Sequence, residues 1–308
     1  MAKQKNAAAV PQPPLSKRIK ANWQLYALLL IPVVLTFIYK YIPMYGIQIA
    51  FRDYKASRGY LGSEWVGFEW FERFFTAPTA GRMIKNTFLL ALFSLLWSFP
   101  IPIILSLCIN QLRFAKYKRV VQTVLYAPHF ISTMVVCGMI RIFLSPSGGL
   151  INLLLGTSID FLTESSAFRT IYIASGIWQD AGWGCIIYLA TLSSVDTSLY
   201  EAAKVDGASV WQRIMNIDVP ALLPMAILNL IMSAGSLMNV GFEKAWLLQT
   251  DLNKATSDII AVYVYQQGIE NAKYSYSTAV GLFNTAVNLI LLFIVNRIAS
   301  KASDVDFV

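Results

Sequence analysis

The segment Ser198-Leu-Tyr-Glu-Ala-Ala-Lys-Val-Asp-Gly-Ala-Ser-Val-Trp-Gln-Arg-Ile-Met-Asn-Ile-Asp-Val-Pro220 is a charged, amphipathic island between two long apolar runs. It reads as two short helices joined at a bend. Ser198 with Glu201 three residues later is a capping-box pattern that opens the first helix. Asp206-Gly207 signals a turn, since glycine accepts backbone angles that a Cβ resists. Beyond it Val210, Trp211, Ile214 and Met215 recur at helical spacing and form an apolar face. Pro220 suits the first turn of the following helix, where its missing N–H costs least. The small pair Ala202-Ala203 lets another surface approach the backbone closely. A helical hairpin with such a face must bury it against lipid headgroups, its own helices or a protein partner.

Working outward, the flanking runs are too apolar for water. The chain of 308 residues is 56% hydrophobic and 14% charged, with mean hydropathy +0.54. Soluble domains are about 45–50% apolar and about 25% charged. A bilayer core about 30 Å thick takes about 20 mostly apolar helical residues. Six segments meet that length, at about residues 25–45, 84–109, 120–144, 171–192, 221–240 and 279–298. Pro100 and Pro102 are expected to bend the second, and Pro128 lies inside the third. The expectation is an all-α membrane protein with six transmembrane helices.

Six passages put both termini on one side. The N-terminal stretch carries Lys3, Lys5, Lys17, Arg18 and Lys20 around a Pro- and Ala-rich tract, and residues 1–22 read as a disordered basic cytoplasmic tail. The apolar run behind it is longer than a signal peptide's and lacks a small-residue cleavage site, so it is expected to stay attached. The short loop after the second passage holds Arg113, Lys116, Lys118 and Arg119. Both basic stretches favour the cytoplasm, which gives an N-in/C-in topology with residues 194–220 inside. The first outer loop is also basic, but there Asp53, Glu64, Glu69 and Glu72 accompany the cations.

Several chemistries are excluded. The net charge of +8 does not form a continuous nucleic-acid patch; the cations sit at the ends of apolar runs, where they anchor in headgroups. Cys108, Cys137 and Cys185 are scattered in apolar stretches and suggest neither a disulfide framework nor a metal site. His129 is the sole histidine, which excludes sites needing several, and it reads as a packed or pore-lining polar residue. No phosphate-binding Gly-x-x-x-x-Gly-Lys-Ser/Thr loop occurs. The chain is expected to bind no cofactor and to be no enzyme by itself.

Glu201-Ala202-Ala203, then Gly207, then Ile217-x-Val219-Pro220 resembles the EAA loop of binding-protein-dependent ABC importers. That pattern is Glu-Ala-Ala, three residues, Gly, nine residues, Ile-x-Leu-Pro, and Val219 for Leu is the one departure. The likeness extends over nearly the whole chain beyond its tail. It is strongest to maltose-type sugar permeases of the subfamily for complex oligosaccharides and polysaccharide fragments. Tyr41-Ile-Pro-Met-Tyr-Gly-Ile-Gln-Ile-Ala-Phe51, Tyr126-Ala-Pro-His-Phe-Ile-Ser132, Ser257-Asp-Ile-Ile260, Tyr263-Val-Tyr265 and Tyr274-Ser-Tyr-Ser-Thr-Ala-Val-Gly-Leu-Phe283 carry it.

The resemblance implies a type I ABC importer permease fold, with residues 23–308 as one transmembrane domain. A five-helix core covers about residues 84–298, and an additional helix precedes it. It implies that the 194–220 loop is a coupling helix on a cytoplasmic ATPase subunit, through Glu201, Ala202, Ala203, Asp206, Gly207 and Trp211. The implied partners are two ATPase subunits that use ATP and Mg, a second permease chain of different sequence, and an extracytoplasmic sugar-binding protein. The implied location is the bacterial cytoplasmic membrane.

For the pathway, intramembrane charge is costly and often functional. Arg141, Asp180 and Glu243 are candidates, as are Trp178 and Trp183 beside Asp180, and Asn284 and Asn288 one turn apart. Aromatic faces and amide donors suit sugar rings, though they suit helix packing as well. Rival readings are a secondary transporter or channel without ATPases, a sugar-sensing receptor, and an ABC permease for a non-sugar solute.

Overall fold

The computed structural model describes residues 15–302. Its first element, α1 (Leu15–Ala21), is a short basic helix. The expected disordered tail, residues 1–22, is therefore corrected over 15–21. Leu-Ser-Lys-Arg-Ile-Lys-Ala contains no Gly or Pro and several good helix formers. Residues 1–14 lie outside the described residues.

The first apolar run becomes α2 (Trp23–Thr36), which winds on to Phe51 through a π turn at Phe37–Tyr41 and a 3-10 stretch at Tyr45–Phe51. None of its most apolar stretch is buried by the rest of the chain. A helix apolar all round and uncovered by protein has lipid as its natural solvent. Beyond it a small antiparallel ribbon pairs β1 (Arg52–Asp53) with β2 (Glu64–Trp65), and α3 (Glu69–Thr76) follows.

The second passage is α4 (Ala80–Ser98) and α5 (Pro100–Asn110), a 31-residue run stepped at Phe99. Pro100 has no N–H to donate into the turn before it, so the step falls where the prolines were expected to bend the helix. The third passage differs from expectation. Instead of one helix over 120–144 there are two, α6 (Ala115–Tyr126), continued by a 3-10 turn at Ala127–Phe130, and α7 (Thr133–Phe143), bent by 96° at the break formed by Ile131 and Ser132. Pro128 removes a donor within that turn, and the Ser132 hydroxyl caps the new helix by accepting from the Val135 N–H. Gln179 of a later helix donates to the Ile131 carbonyl at 2.9 Å. A polar group freed by the break is thereby satisfied within the protein.

After α8 (Leu150–Leu155) comes α9 (Ser165–Ser193), about 43 Å long at a 1.5 Å rise per residue. The hairpin follows as α10 (Thr197–Val205) and α11 (Val210–Arg213). A π turn at Ile214–Asp218 joins α11 to α12 (Val219–Gly235). The second hairpin helix is therefore the base of the fifth passage, in one run of 26 residues, rather than a separate piece. Then come α13 (Phe242–Leu248), a single turn at Lys254–Ser257, α14 (Ile260–Tyr265) with a π turn at Gln266–Glu270, and α15 (Tyr274–Ala302).

Hydrogen bonds identify which ends share a side. At one end Gln111, after α5, and Tyr200 of α10 both bond to Asp218. At the other, Asn86 of α4 donates to the carbonyls of Ala255 and Asp258 and accepts from Arg169 of α9. There too Arg141 of α7 donates to the Leu247 carbonyl, and the Tyr54 N–H donates to Ser275. The long helical runs thus pass between these two ends. Four of these runs are long and apolar enough by themselves to cross a membrane, and a fifth counts if the bent pair is one span. The remaining run, α9, has the length but carries Arg169, Gln179 and Asp180.

Two buried clusters lie at the end away from the hairpin, around Phe168, Tyr172 and Leu248, and around Phe74, Met83 and Tyr276. A third, with Tyr188, Leu192 and Leu222, sits near the hairpin. At Gly182 α9 lies directly on the Leu125 backbone, leaving no room for a Cβ. Such close approach is how helices associate where lipid supplies no hydrophobic drive.

Candidate functional site

The hairpin is built from two caps and one turn. Asp196 opens α10 by accepting from the Ser198 N–H at 2.9 Å. Hydrogen bonds from Ser198 hold the Asp196 carboxyl below its ordinary pKa. This corrects the expected Ser198–Glu201 capping box: the helix begins two residues earlier, and Glu201 is left exposed. A true capping box opens α11 instead. There the Ser209 hydroxyl accepts from the Gln212 N–H at 3.3 Å, and Gln212 Oε1 accepts from the Ser209 N–H at 2.7 Å.

Between them Gly207 adopts φ +74. The Ala208 N–H reaches the Ala203 carbonyl at 2.8 Å and the Gly207 N–H reaches Lys204 at 3.1 Å. That paired pattern is a Schellman C-cap, which needs a left-handed residue where glycine stands. The turn predicted at Asp206-Gly207 is therefore where the bend occurs. Ala202 and Asp206 are exposed, and Ala203 is half-covered. Leu199, Val205, Val210, Trp211 and Met215 are all exposed large apolar residues. The hairpin presents this face without covering it.

Its foot is anchored by a residue that sequence reasoning missed. Asp218 is fully buried. It accepts from the Tyr200 hydroxyl, from Gln111 Nε2 at 2.9 Å and from Asn110 Nδ2 at 3.5 Å. Burial, and then the Asp218 carboxylate, push the Tyr200 hydroxyl up to about 12, so it remains a donor at neutral pH. The one visible signal was a lone acid just before Val219-Pro220, at the foot of an apolar run.

Between α4, α5, α9 and α12 lies a cavity of about 620 Å³, continuous through shared wall residues with a second of about 820 Å³. Of the sequence candidates, Asp180 and Glu243 line the first and Trp183 lines the second. His129, in the turn of the bent passage, holds Asp180 with Nδ1 and Oδ1 2.9 Å apart. Its ring stacks on Trp183 at 4.4 Å between centroids and 9° between planes. The break in the third passage is what brings these three together. The Ser94 hydroxyl on the cavity wall is buried and has no hydrogen-bond partner among the described residues.

The remaining candidates stand elsewhere. Trp178 is 49% exposed and lines neither cavity. Asn284 and Asn288 are buried between helices; Asn288 and the Asn284 amide nitrogen are engaged at residues 238–239, while Asn284 Oδ1 has no hydrogen-bond partner among the described residues. Asn288 accepts from the Met238 N–H at 2.7 Å, and both amides donate to Asn239 Oδ1. They close the backbone where α12 stops at Gly235, earlier than the expected residue 240. Arg141 fastens α7 to α13. Lys244, which the sequence reading overlooked, is buried on the cavity wall with Nζ 5.0 Å above the Tyr172 ring. It is the single cation of the apolar stretch 219–248.

Comparison with known proteins agrees with this architecture. The chain is 45% identical over 288 residues to protein LplB of Bacillus subtilis strain 168, covering 92% of this chain and 90% of the relative. It is 43% identical over 281 residues to YteP of the same organism, a polygalacturonan/rhamnogalacturonan transport system permease protein, with 90% and 88% covered. Among solved structures it is similar to a chain of the bacterial alginate ABC transporter in complex with an alginate pentasaccharide-bound periplasmic protein. There the TM-score is 0.86 at 39% identity, with 95% of this chain and 99% of that one covered. This is the type I ABC importer permease fold. Residues 74–304 match the family described as binding-protein-dependent transport system inner membrane component, and the chain belongs to that family.

Proposed function

We propose that this chain is the membrane-spanning permease subunit of an ATP-driven importer of oligosaccharides or polysaccharide fragments. It sits in the bacterial cytoplasmic membrane beside a second, different permease chain. Two cytoplasmic ATPase subunits bind ATP and Mg and do the hydrolysis; this chain holds the path and catalyses nothing. An extracytoplasmic binding protein delivers the sugar.

The observation that carries the reading is the hairpin: an exposed apolar face whose foot, Asp218, is bonded directly to the end of a cavity-lining passage. An ATPase cleft covering Leu199, Val210 and Trp211 would bury that face and meet Glu201 with a basic residue. Ala202 and Ala203 allow the close approach, and Asp206 with Gly207 shapes the bend. Movement of the hairpin then reaches α5 and α12 through the Asp218 bonds. Along the path Asp180, Glu243 and Trp183 face the cavities, where carboxylates accept from sugar hydroxyls and an indole covers a ring's apolar face.

Uptake of labelled oligosaccharide into liposomes holding the assembled transporter, with and without ATP, tests the reading. The expected result is ATP-dependent uptake that falls at least about tenfold in Glu201→Lys, a loss of about 1.4 kcal/mol of coupling, with assembly intact. Uptake by this chain alone without ATP would falsify it in favour of a secondary transporter or channel. Sugar binding with no flux at all would favour a receptor.

A further inference from the structure

At the end of the molecule opposite the hairpin, α3, α14 and the start of α15 line a separate, open pocket of about 340 Å³, with Arg73 and Lys273 exposed at its wall. Arg73, Thr76, Tyr263, Gln267, Lys273 and Tyr276 form most of its wall, and no carboxylate lines it. The Arg73 guanidinium lies 5.6 Å from the Trp70 ring and 5.7 Å from the Tyr276 ring. Stacking engages the faces of a guanidinium and leaves its N–H edge for a ligand. Among the described residues no acid pairs with Arg73 or Lys273.

The other polar groups point the chemistry the same way. Lys273 Nζ donates to Gln267 Oε1 at 3.1 Å, which occupies the amide oxygen and leaves Gln267 its N–H donors. The Tyr263 and Tyr276 hydroxyls are 3.0 Å apart. Their mutual bond uses one of the two protons, so one hydroxyl remains to donate outward. Ala272, just before Lys273, has φ +53 and is the one non-glycine residue with positive φ among the described residues. That backbone is unfavourable for a residue with a Cβ. It is held while the Lys273 N–H donates to the Gln267 carbonyl at 2.8 Å.

The pocket is thus rich in donors and carries, beside aromatic rings, two cations that have no ion-pair partner among the described residues. A neutral sugar, offering only hydroxyls, would leave both charges to water. A planar carboxylate matches a guanidinium fork and an ammonium together. A volume of about 340 Å³ is at the small end for ligand sites and suits one sugar unit rather than a chain of them. We infer that this outer cavity binds the carboxylate of a uronic acid unit in the incoming oligosaccharide. The inference rests on the oligosaccharide-import reading and narrows it to acidic sugars.

The test is calorimetric titration of the full chain in nanodiscs of neutral lipid. The ligands are tri-galacturonate and the same trisaccharide fully methyl-esterified. The acid is expected to bind at least tenfold more tightly than the ester. Arg73→Gln with Lys273→Gln is expected to remove that preference. Lys116→Gln with Lys118→Gln, an equal loss of charge at the opposite end, is expected to leave it unchanged. Equal binding of acid and ester by the native chain, or native affinity in the Arg73/Lys273 variant, overturns the proposal. So does a hexaglutamate peptide that displaces the trisaccharide at equal concentration, because the cavity would then read the carboxylates of a docked protein. Transport separates this from the broader reading. ATP-dependent uptake of a neutral trisaccharide is expected to survive in the Arg73/Lys273 variant while uptake of the uronate falls at least tenfold. Absence of any ATP-dependent uptake by the native transporter would defeat the import reading and leave the nanodisc titration to decide the site.

Discussion

A carboxylate sealed inside a protein is unfavourable unless donors surround it, and Asp218 shows what such a residue can accomplish. It joins Tyr200 in the hairpin to Gln111 and Asn110 at the end of the second passage. Asp218→Ala would orphan the Tyr200 hydroxyl and the Gln111 amide, at roughly 1–3 kcal/mol per buried group left unsatisfied. Chemical denaturation in detergent should register that loss, and Asp218→Asn, which keeps an acceptor, should lose less. ATP-driven uptake should fall further than stability in both, because the hairpin would come adrift from the path. Asn288 teaches the opposite lesson. One amide on an apolar helix looks like a sugar ligand in sequence, yet its oxygen is taken by the Met238 N–H.

At the scale of elements, the hairpin depends on Gly207. Proline is locked near φ −65° and has no N–H, whereas this position needs φ +74 and donates to Lys204. Gly207→Pro should therefore destabilise the hairpin by roughly 3 kcal/mol. Sugar-stimulated ATPase activity should disappear while the rest of the molecule keeps its melting point. Gly207→Asn, a residue that tolerates the left-handed region, should keep most of the activity. Equal behaviour of the two variants would mean that the turn does not set the coupling geometry. The turn was legible because Asp-Gly is a local signal. The 96° break of the third passage was not: Pro128 alone is equally compatible with a gentle kink, and the decision came from Gln179, 48 residues beyond the Ile131 carbonyl it satisfies.

For the whole molecule, the hairpin and the outer pocket lie at opposite ends, and the proposed import function sets them on opposite sides of the membrane. Cysteine accessibility in sealed vesicles checks this directly. With Cys108 replaced by serine, Val205→Cys should react with an impermeant maleimide only from the cytoplasmic side. Lys273→Cys should react only from the other. Labelling of both from one side would overturn the topology. The exposed helix α2 fits the same picture, since its apolar surface faces outward with nothing in this chain to cover it.

Sequence alone determined the solvent, the approximate apolar runs and the helical hairpin with its turn at Gly207. Each of these is written in properties that act locally: side-chain hydrophobicity over some 20 residues, turn chemistry at Asp206-Gly207, and charge at the ends of runs. Tertiary structure decided which polar residues are used up and which are left over. Asn288 satisfies the Met238 N–H; Asp180 on the cavity wall is held by His129; Arg73 and Lys273 line one pocket without an acid. Those outcomes depend on partners distant in the chain, because a polar group removed from water takes whichever partner the fold brings within reach.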